Sequence, residues 1–308
     1  MKALFLLGPT ASGKTAVALA LAERFPVEVI SVDSAQVYRD MDIGTAKPSR
    51  DERARVRHHL IDILDPTEAY SAGRFRDDAI RLVGEITQRG HLPVLAGGTM
   101  LYFSALSKGL ADLPPAQPAL RAQLEAEAAR EGWPSMHEQL ARIDPSTAGR
   151  LKPTDAQRIQ RALEVHAVTG EPISLHQSRT TSPLAREFVV AALIPAERPR
   201  LHAALDARFN GMLDAGLLGE VRKLRERGDL NDEHPAIRAV GYRQLWTHLG
   251  GGYPLETAVA RAQAATRQLA KRQMTWLRSM PDIRVFDPYD AQSFVGIRDA
   301  LFAANCLF

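Results

Sequence analysis

The residues Gly8-Pro9-Thr10-Ala11-Ser12-Gly13-Lys14-Thr15 restrict the fold of this chain more than any other stretch. An apolar run, Ala3 to Leu7, precedes them and has the length of a buried strand, while Ala16 to Glu23, rich in helix formers, follows. Strand, glycine loop and helix in that order make a phosphate-binding loop. The glycines let successive backbone N–H groups turn towards one anion, and the helix N-terminus adds partial positive charge. Lys14 supplies an ammonium, and the Thr15 hydroxyl is placed to ligate Mg²⁺. The motif predicts a ligand carrying a diphosphate or a longer phosphate chain, without saying which one.

With 308 residues, 45% of them hydrophobic and 24% charged, the chain can build a full α/β core and a second lobe. Its only cysteine, Cys306, excludes a disulfide framework and a cysteine-based zinc site, and fits a reducing cytosol. Met1-Lys2 runs straight into the first strand and no apolar run reaches transmembrane length, so neither a signal peptide nor a membrane span is expected.

The α/β pattern continues with Val27 to Val32, a β-branched run ending at Asp33-Ser34-Ala35-Gln36. A carboxylate at the C-terminal end of a strand beside the loop strand lies on the ligand side of a doubly wound sheet. Asp33 is therefore a candidate base, or alternatively the N-cap of a helix from Ala35. The arginine-rich segment Arg50 to His59 reads as a solvated helix face, and His59 to Leu64 as a short third strand. A helix is expected from Ser71 to Gln88, and a strand over Pro93 to Ala96. Where many phosphate-loop NTPases place a metal-holding carboxylate after such a strand, this chain has Gly97-Gly98-Thr99, which argues against an ordinary ATPase.

Pro114, Pro115 and Pro118 mark a boundary, and the sequence reads all-helical from there to about Arg186. Phe188 to Ile194 returns to strand, so the helical stretch reads as an insertion. The expected organisation is a phosphate-loop core over 1–113, a helical insertion over 114–186, and a return to core with a helical C-terminal region over 187–308. Leu201 to Gly216 and Leu217 to Arg227 read as helices, and Glu256 to Met280 as a long one. From Arg261 to Arg284 there are six basic side chains against one acid, Asp282. Taken alone, this is equally a nucleic-acid surface and a solvated basic face. His58, His59, His137, His166 and His176 lack metal-ligand spacing and read as satisfied or surface histidines.

Seven ordered blocks together resemble the bacterial tRNA dimethylallyltransferase (tRNA isopentenyltransferase) family. They are GPTASGKT at Gly8, ISVDSAQVYRDMDIGTAKP at Ile30, HHLID at His58, AGGTMLYF at Ala96, DAQRIQRALEV at Asp155, AVGYRQLW at Ala239 and KRQMTWLR at Lys271. The resemblance implies a phosphate-loop NTPase-like parallel sheet with an inserted helical domain. It implies transfer of a dimethylallyl group from dimethylallyl diphosphate to N6 of the adenosine next to the anticodon, tRNA position 37, with release of pyrophosphate. Asp33 is the implied base, and Lys14, Mg²⁺ and Arg208 the implied partners of the leaving group. Thr10, Ser34, Ala35 and Gln36 are implied to line the pocket with Asp33, and Thr99 and Arg121 to touch substrate. The implied tRNA-contacting segments are Gln157-Arg158-Ile159-Gln160-Arg161, Arg238-Ala239-Val240-Gly241-Tyr242-Arg243 and Lys271-Arg272-Gln273-Met274-Thr275-Trp276-Leu277-Arg278. The expected partner is an anticodon stem-loop whose adenine is flipped into the site of a cytoplasmic monomer. The competing classes are a small-molecule or nucleotide kinase and a nucleotide-switched RNA-binding protein. The kinase reading leaves the basic C-terminal third unexplained, tight NTP binding would mark the switch, and no turnover of ATP or GTP is expected.

Overall fold

A computed structural model of the protein describes residues 2–179, 188–280, 283–304 and 306. The last part of the expected helical stretch, 180–186, and Asp282 lie outside the described residues. By packing, the chain falls into two compact units, 1–103 with 184–308, and 104–183.

In the first unit β1 (Ala3–Leu7), α1 (Lys14–Ala22) and β2 (Val27–Val32) are followed by α2 (Arg50–Arg55) and β3 (His58–His59). Then come α3 (Ala72–Gln88), β4 (Leu92–Gly97) and α4 (Met100–Ser107), whose last turn passes into the second unit. The second unit holds α5 (Pro118–Glu131), α6 (Trp133–Ile143), α7 (Pro145–Ala148), α8 (Ala156–Thr169) and α9 (Ile173–Ser178). The chain returns through β5 (Phe188–Leu193), α10 (Arg198–Asp214), α11 (Leu217–Glu226), α12 (Tyr242–Leu249) and α13 (Leu255–Arg278). It closes with β6 (Arg284–Phe286) and α14 (Ser293–Ala303).

The six strands form one sheet in the order β3-β2-β4-β1-β5-β6, and every pairing is parallel. A parallel sheet must be covered on both faces, which is why β1 is buried at every residue. On one face Leu4 and Leu6 of β1 join Leu19 and Leu21 of α1 and Ile297 and Leu301 of α14. On the other, the Phe5 ring packs edge-on against Phe103 and Phe188, at 4.8 and 4.9 Å between centroids. Phe75 of α3 stacks on Tyr102 at 4.2 Å. Resumption of the sheet by β5 beside β1, after the helical residues, brings Leu193 against the phosphate-binding loop.

Two expectations are corrected. The strand expected over His59 to Leu64 stops after His59, because Leu60 and Asp62 take positive φ angles of 62° and 57°. The bend delivers the Asp62 carboxylate to Lys47 Nζ at 2.5 Å and Arg53 at 2.7 Å. Nor does a helix begin at Ala35; Asp33 instead makes a turn, described below. By contrast, α3 begins where Ser71 caps the Arg74 N–H at 3.1 Å, and α2 carries a reciprocal Ser49–Glu52 capping box.

The second unit has a core of its own: Leu124 and Ala128 of α5, Met136 and Leu140 of α6, and Ile159, Leu163 and Val165 of α8. Buried within it, Glu164 accepts two hydrogen bonds from Arg121 at 3.0 Å, one from Arg161 at 2.6 Å and one from the Gln117 N–H at 2.8 Å. Burial disfavours this carboxylate, but those donors outweigh it and hold its pKa at about 2. Among the described residues no helix is long and apolar enough to cross a membrane.

Candidate active site

The loop between β1 and α1 is shaped by two left-handed residues, Ala11 at φ 63° and Gly13 at φ 75°. Gly8 must be glycine, since a Cβ there would overlap the Ser12 hydroxyl and crowd the Leu193 carbonyl. Ser12 is 1% exposed and its hydroxyl meets no hydrogen-bond partner among the described residues, so it is free to donate to an anion held in the loop. Lys14 Nζ donates to the Gly8 carbonyl at 3.0 Å and the Pro9 carbonyl at 2.7 Å. Burial lowers the ammonium to about 8, with Asp33 working to keep it charged and Arg208 against it. Burial likewise lowers Arg208, and Asp33 opposes that shift too. Asp33 is thus the carboxylate that both cavity-lining cations face.

At the end of β2, Asp33 Oδ1 accepts the N–H groups of Ala35 at 2.8 Å and Gln36 at 3.4 Å, an Asx-turn. Its Oδ2 accepts no hydrogen bond from the described residues. The neighbouring Ser34 N–H donates to Thr99 Oγ1 at 3.2 Å, and the Thr99 N–H to the Val32 carbonyl at 3.1 Å. The ends of β2 and β4 are thereby fastened together. A Cβ on Gly97 would overlap the Val32 carbonyl oxygen, so the end of β4 admits no side chain. Gln36 receives the Ser31 hydroxyl at 2.9 Å and donates to the carbonyls of Thr45 and Ala46 at 3.3 and 3.4 Å.

Two cavities meet at these residues. A polar one of about 180 Å³ is lined by the loop from Thr10 to Thr15 with Ser31, Gln36, His58 and Arg208. A larger one of about 520 Å³ is walled by Leu101, Phe209, Met212 and Trp276, with Arg238 and Arg272 also lining it. Thr10, Asp33, Thr45, Gly98, Arg208 and Gln273 border both. Gln273 reaches from α13 to bridge the loop and the sheet: its Oε1 accepts the Thr10 N–H at 3.2 Å, and its Nε2 donates to the Gly98 carbonyl at 2.8 Å.

The expected tRNA-contacting segments divide by burial. In α13, Lys271, Arg272, Thr275, Trp276 and Arg278 are exposed, whereas Gln273, Met274 and Leu277 face inwards. Before and at the start of α12, Arg238 and Arg243 are exposed and Ala239 and Val240 half-buried, but Gly241 and Tyr242 are buried. In α8, Gln157 and Arg158 are exposed, Ile159 belongs to the core, and the buried Gln160 donates to the Arg121 carbonyl and Glu125. Arg161 is spent on Glu164 and the Pro114 carbonyl, and Arg121, expected to touch substrate, has its guanidinium on Glu164. Met274, Leu277 and Ile159 thus pack inwards, while Gln273 and Tyr242 line the larger cavity and the guanidinium of Arg121 pairs with Glu164 yet stays partly exposed.

Sequence reasoning reads His58 as a satisfied or surface histidine and not as a site residue. It lines the polar cavity, its Nδ1 donating to the Val56 carbonyl at 2.8 Å, and burial lowers its pKa so that the ring is neutral. The apolar wall from α10 was also passed over, although Leu205, Arg208, Phe209 and Met212 share one helical stripe in which an arginine is out of place.

Among the described residues no three His, Cys, Asp or Glu side chains are grouped to hold a metal. The donor set still suits Mg²⁺, which takes one or two protein oxygens and completes its shell with water and substrate phosphate. Thr15, in the first turn of α1, lines the polar cavity beside the loop.

The sequence model of the IPP transferase family matches residues 36–280. The tRNA dimethylallyltransferase of Burkholderia vietnamiensis is 58% identical over 300 residues, covering 96% of this chain and 93% of that protein. That of Bordetella petrii is 59% identical over 285 residues, with 92% and 91% covered. Among solved structures, the tRNA isopentenylpyrophosphate transferase of Bacillus halodurans superposes with a TM-score of 0.71 at 37% identity, covering 99% and 98% of the two chains. A eukaryotic dimethylallyltransferase acting on tRNA reaches a TM-score of 0.84 at 28% identity, over 99% of this chain and 80% of that one. With the family model matched over most of the chain and more than half its aligned residues in common with bacterial members, this chain belongs to the tRNA dimethylallyltransferase family.

Proposed function

We propose that the protein transfers the dimethylallyl group of dimethylallyl diphosphate to N6 of the adenosine 3′ to the anticodon, tRNA position 37, releasing pyrophosphate. The observation that carries this reading is the position of Asp33 in the wall common to the polar and the apolar cavity. In the polar cavity the loop amides, the orphaned Ser12 hydroxyl, Lys14 and Arg208 hold the diphosphate, as charge builds on it while the allylic C–O bond breaks. Thr15 would hold Mg²⁺, which supplies further charge neutralisation on the phosphate oxygens when bound.

The larger cavity takes the flipped adenine. Its apolar wall of Leu101, Phe209 and Met212 keeps water from the allylic carbon as positive charge develops there. The N6 lone pair is delocalised into the purine and makes a weak nucleophile. As the N6–C bond forms, Asp33 takes the departing proton on the oxygen its turn leaves open. Arg238 and Arg272, which line this cavity, and Lys271 and Arg278 beyond it contact phosphates, and Trp276, 38% exposed, offers a stacking face.

The test is mass spectrometry of nucleosides from unmodified tRNA incubated with the protein, Mg²⁺ and dimethylallyl diphosphate, beside Asp33→Ala and an ATP-only control. A dimethylallyl mass gain on adenosine, lost in Asp33→Ala, is expected. A gain that survives the substitution removes Asp33 as base, and ATP consumption with no gain overturns the transferase reading.

A further inference from the structure

The segment from Asp42 to Ala46 has no regular secondary structure, yet it lines both cavities, through Thr45 and Ala46 on the polar side and Gly44 and Thr45 on the apolar side. Its backbone is held by one distant carboxylate. Glu220 Oε2, from the first turn of α11, accepts the Asp42 N–H at 2.9 Å and the Ile43 N–H at 2.8 Å. Its Oε1 accepts the Gly44 N–H at 3.1 Å and the Tyr242 hydroxyl at 2.5 Å. Three successive amides converging on one anion form a nest, with the carboxylate seated in it as a bound anion would be.

The packing around this nest leaves no slack. A Cβ on Gly44 would come within 2.5 Å of the Tyr242 ring and 2.7 Å of Leu217. Tyr242 is fully buried, and burial together with the facing Glu220 pushes its phenol far above the ordinary range, so it stays a donor. It also follows Arg238, Ala239 and Val240, which line the apolar cavity. On the other flank Lys47 Nζ fastens the segment by donating to the Tyr38 carbonyl at 2.9 Å and to Asp42 and Asp62, each at 2.5 Å.

We infer that Glu220 is a positioning residue for the transfer. By clamping 42–44 against Tyr242, it sets the partition between donor and acceptor cavities and registers that partition to the acceptor-side segment 238–242. This rests on the function proposed above. The clamp touches neither reacting atom, and it acts on the distance and angle between them, where a displacement of about 1 Å costs on the order of 10²-fold in rate.

Glu220→Gln keeps the side chain's size but turns an NH₂ group onto amide donors, so the nest opens. Single-turnover prenylation of tRNA at saturating donor is expected to fall about 100-fold. Calorimetric titration with dimethylallyl diphosphate in the absence of tRNA should still find the wild-type number of donor sites per chain. A structural role alone would lower the number of sites and the rate together, and that result, or an unchanged rate, overturns the proposal. Tyr242→Phe keeps the ring on Gly44 and removes one of the four donors; its rate should fall about tenfold. If Glu220→Gln does not fold, Tyr242→Phe decides, and a rate within about twofold of wild type rejects the clamp. A wild-type protein that prenylates no tRNA is a failure of the proposed function instead, and the two failures are separated by that control.

Discussion

Strand β2 carries a carboxylate near each end, and the two are treated in opposite ways. Glu28, at the N-terminal edge of the sheet, is 3% exposed and saturated. Arg89 donates twice at 2.8 Å, and the ring nitrogens of His59 and His91 lie at 2.7 and 2.9 Å. The Arg89 hydrogen bonds, chiefly, hold its pKa at about 2. Asp33, just beyond the C-terminal end, faces two cations across a cavity, but its bonds within the chain are to its own turn. A carboxylate with every lone pair claimed can only hold structure together. One whose second oxygen is left open can receive a proton, so the difference between them lies in partners, not in residue type.

Four measurements can break or sharpen that contrast, beginning with the largest effect. Asp33→Asn preserves the Asx-turn acceptor and removes the base, so kcat for tRNA prenylation should drop about 10³-fold, with the melting temperature held within about 2 °C. Glu28→Gln should do the reverse. Losing the partner of Arg89 and two histidines costs about 3 kcal/mol in a urea melt, while activity per folded molecule stays at the wild-type level.

The third concerns pH. Because Glu28 is lowered from 4.5 to about 2, its contribution is fully present above pH 4.5 and is lost as pH falls towards 2. With Arg89 partly in solvent, that loss is about 2 kcal/mol. Melting temperatures taken from pH 5 down to 2 should fall more steeply in the wild type than in Glu28→Gln, where Glu164 still contributes a slope of its own. The smallest effect belongs to Arg208→Lys, which keeps the charge facing Asp33 but surrenders the planar fork. The donor KM should rise about tenfold and the tRNA KM stay put in steady-state assays.

What could be read from sequence was local in sequence. The phosphate loop, its flanking strand and helix, and the strand-end position of Asp33 all fall within a single βαβ stretch. Helices α10, α11 and α13 announced themselves by periodicity and by glycine breaks. The misses are all pairings across long separations. Strand β6 is three residues long and largely exposed, and it exists only through its register with β5. Helix α14 follows from the same late return of the chain. The curtailed β3 depends on Lys47 drawing Asp62 out of the strand, and a charged residue on a helix such as Glu220 reads as solvated until its partners at Asp42 to Gly44 are brought to it. Arg121, which the family likeness implies touches substrate, also pairs with Glu164 in the next-but-two helix, a contact that no local pattern announces.

Gly97 has a consequence for the ancestry open to this fold. With the Val32 carbonyl occupying the space of its missing Cβ, no single substitution can install a side chain where β4 ends, least of all the aspartate with which phosphate-loop ATPases hold their metal. To regain that residue a descendant would first have to spread β2 from β4 and surrender the hydrogen bonds from the Ser34 and Thr99 N–H groups that fasten them. Point mutation alone leaves these lineages on the prenyl-transfer side of a backbone barrier, with hydrolysis of nucleotides out of one-step reach.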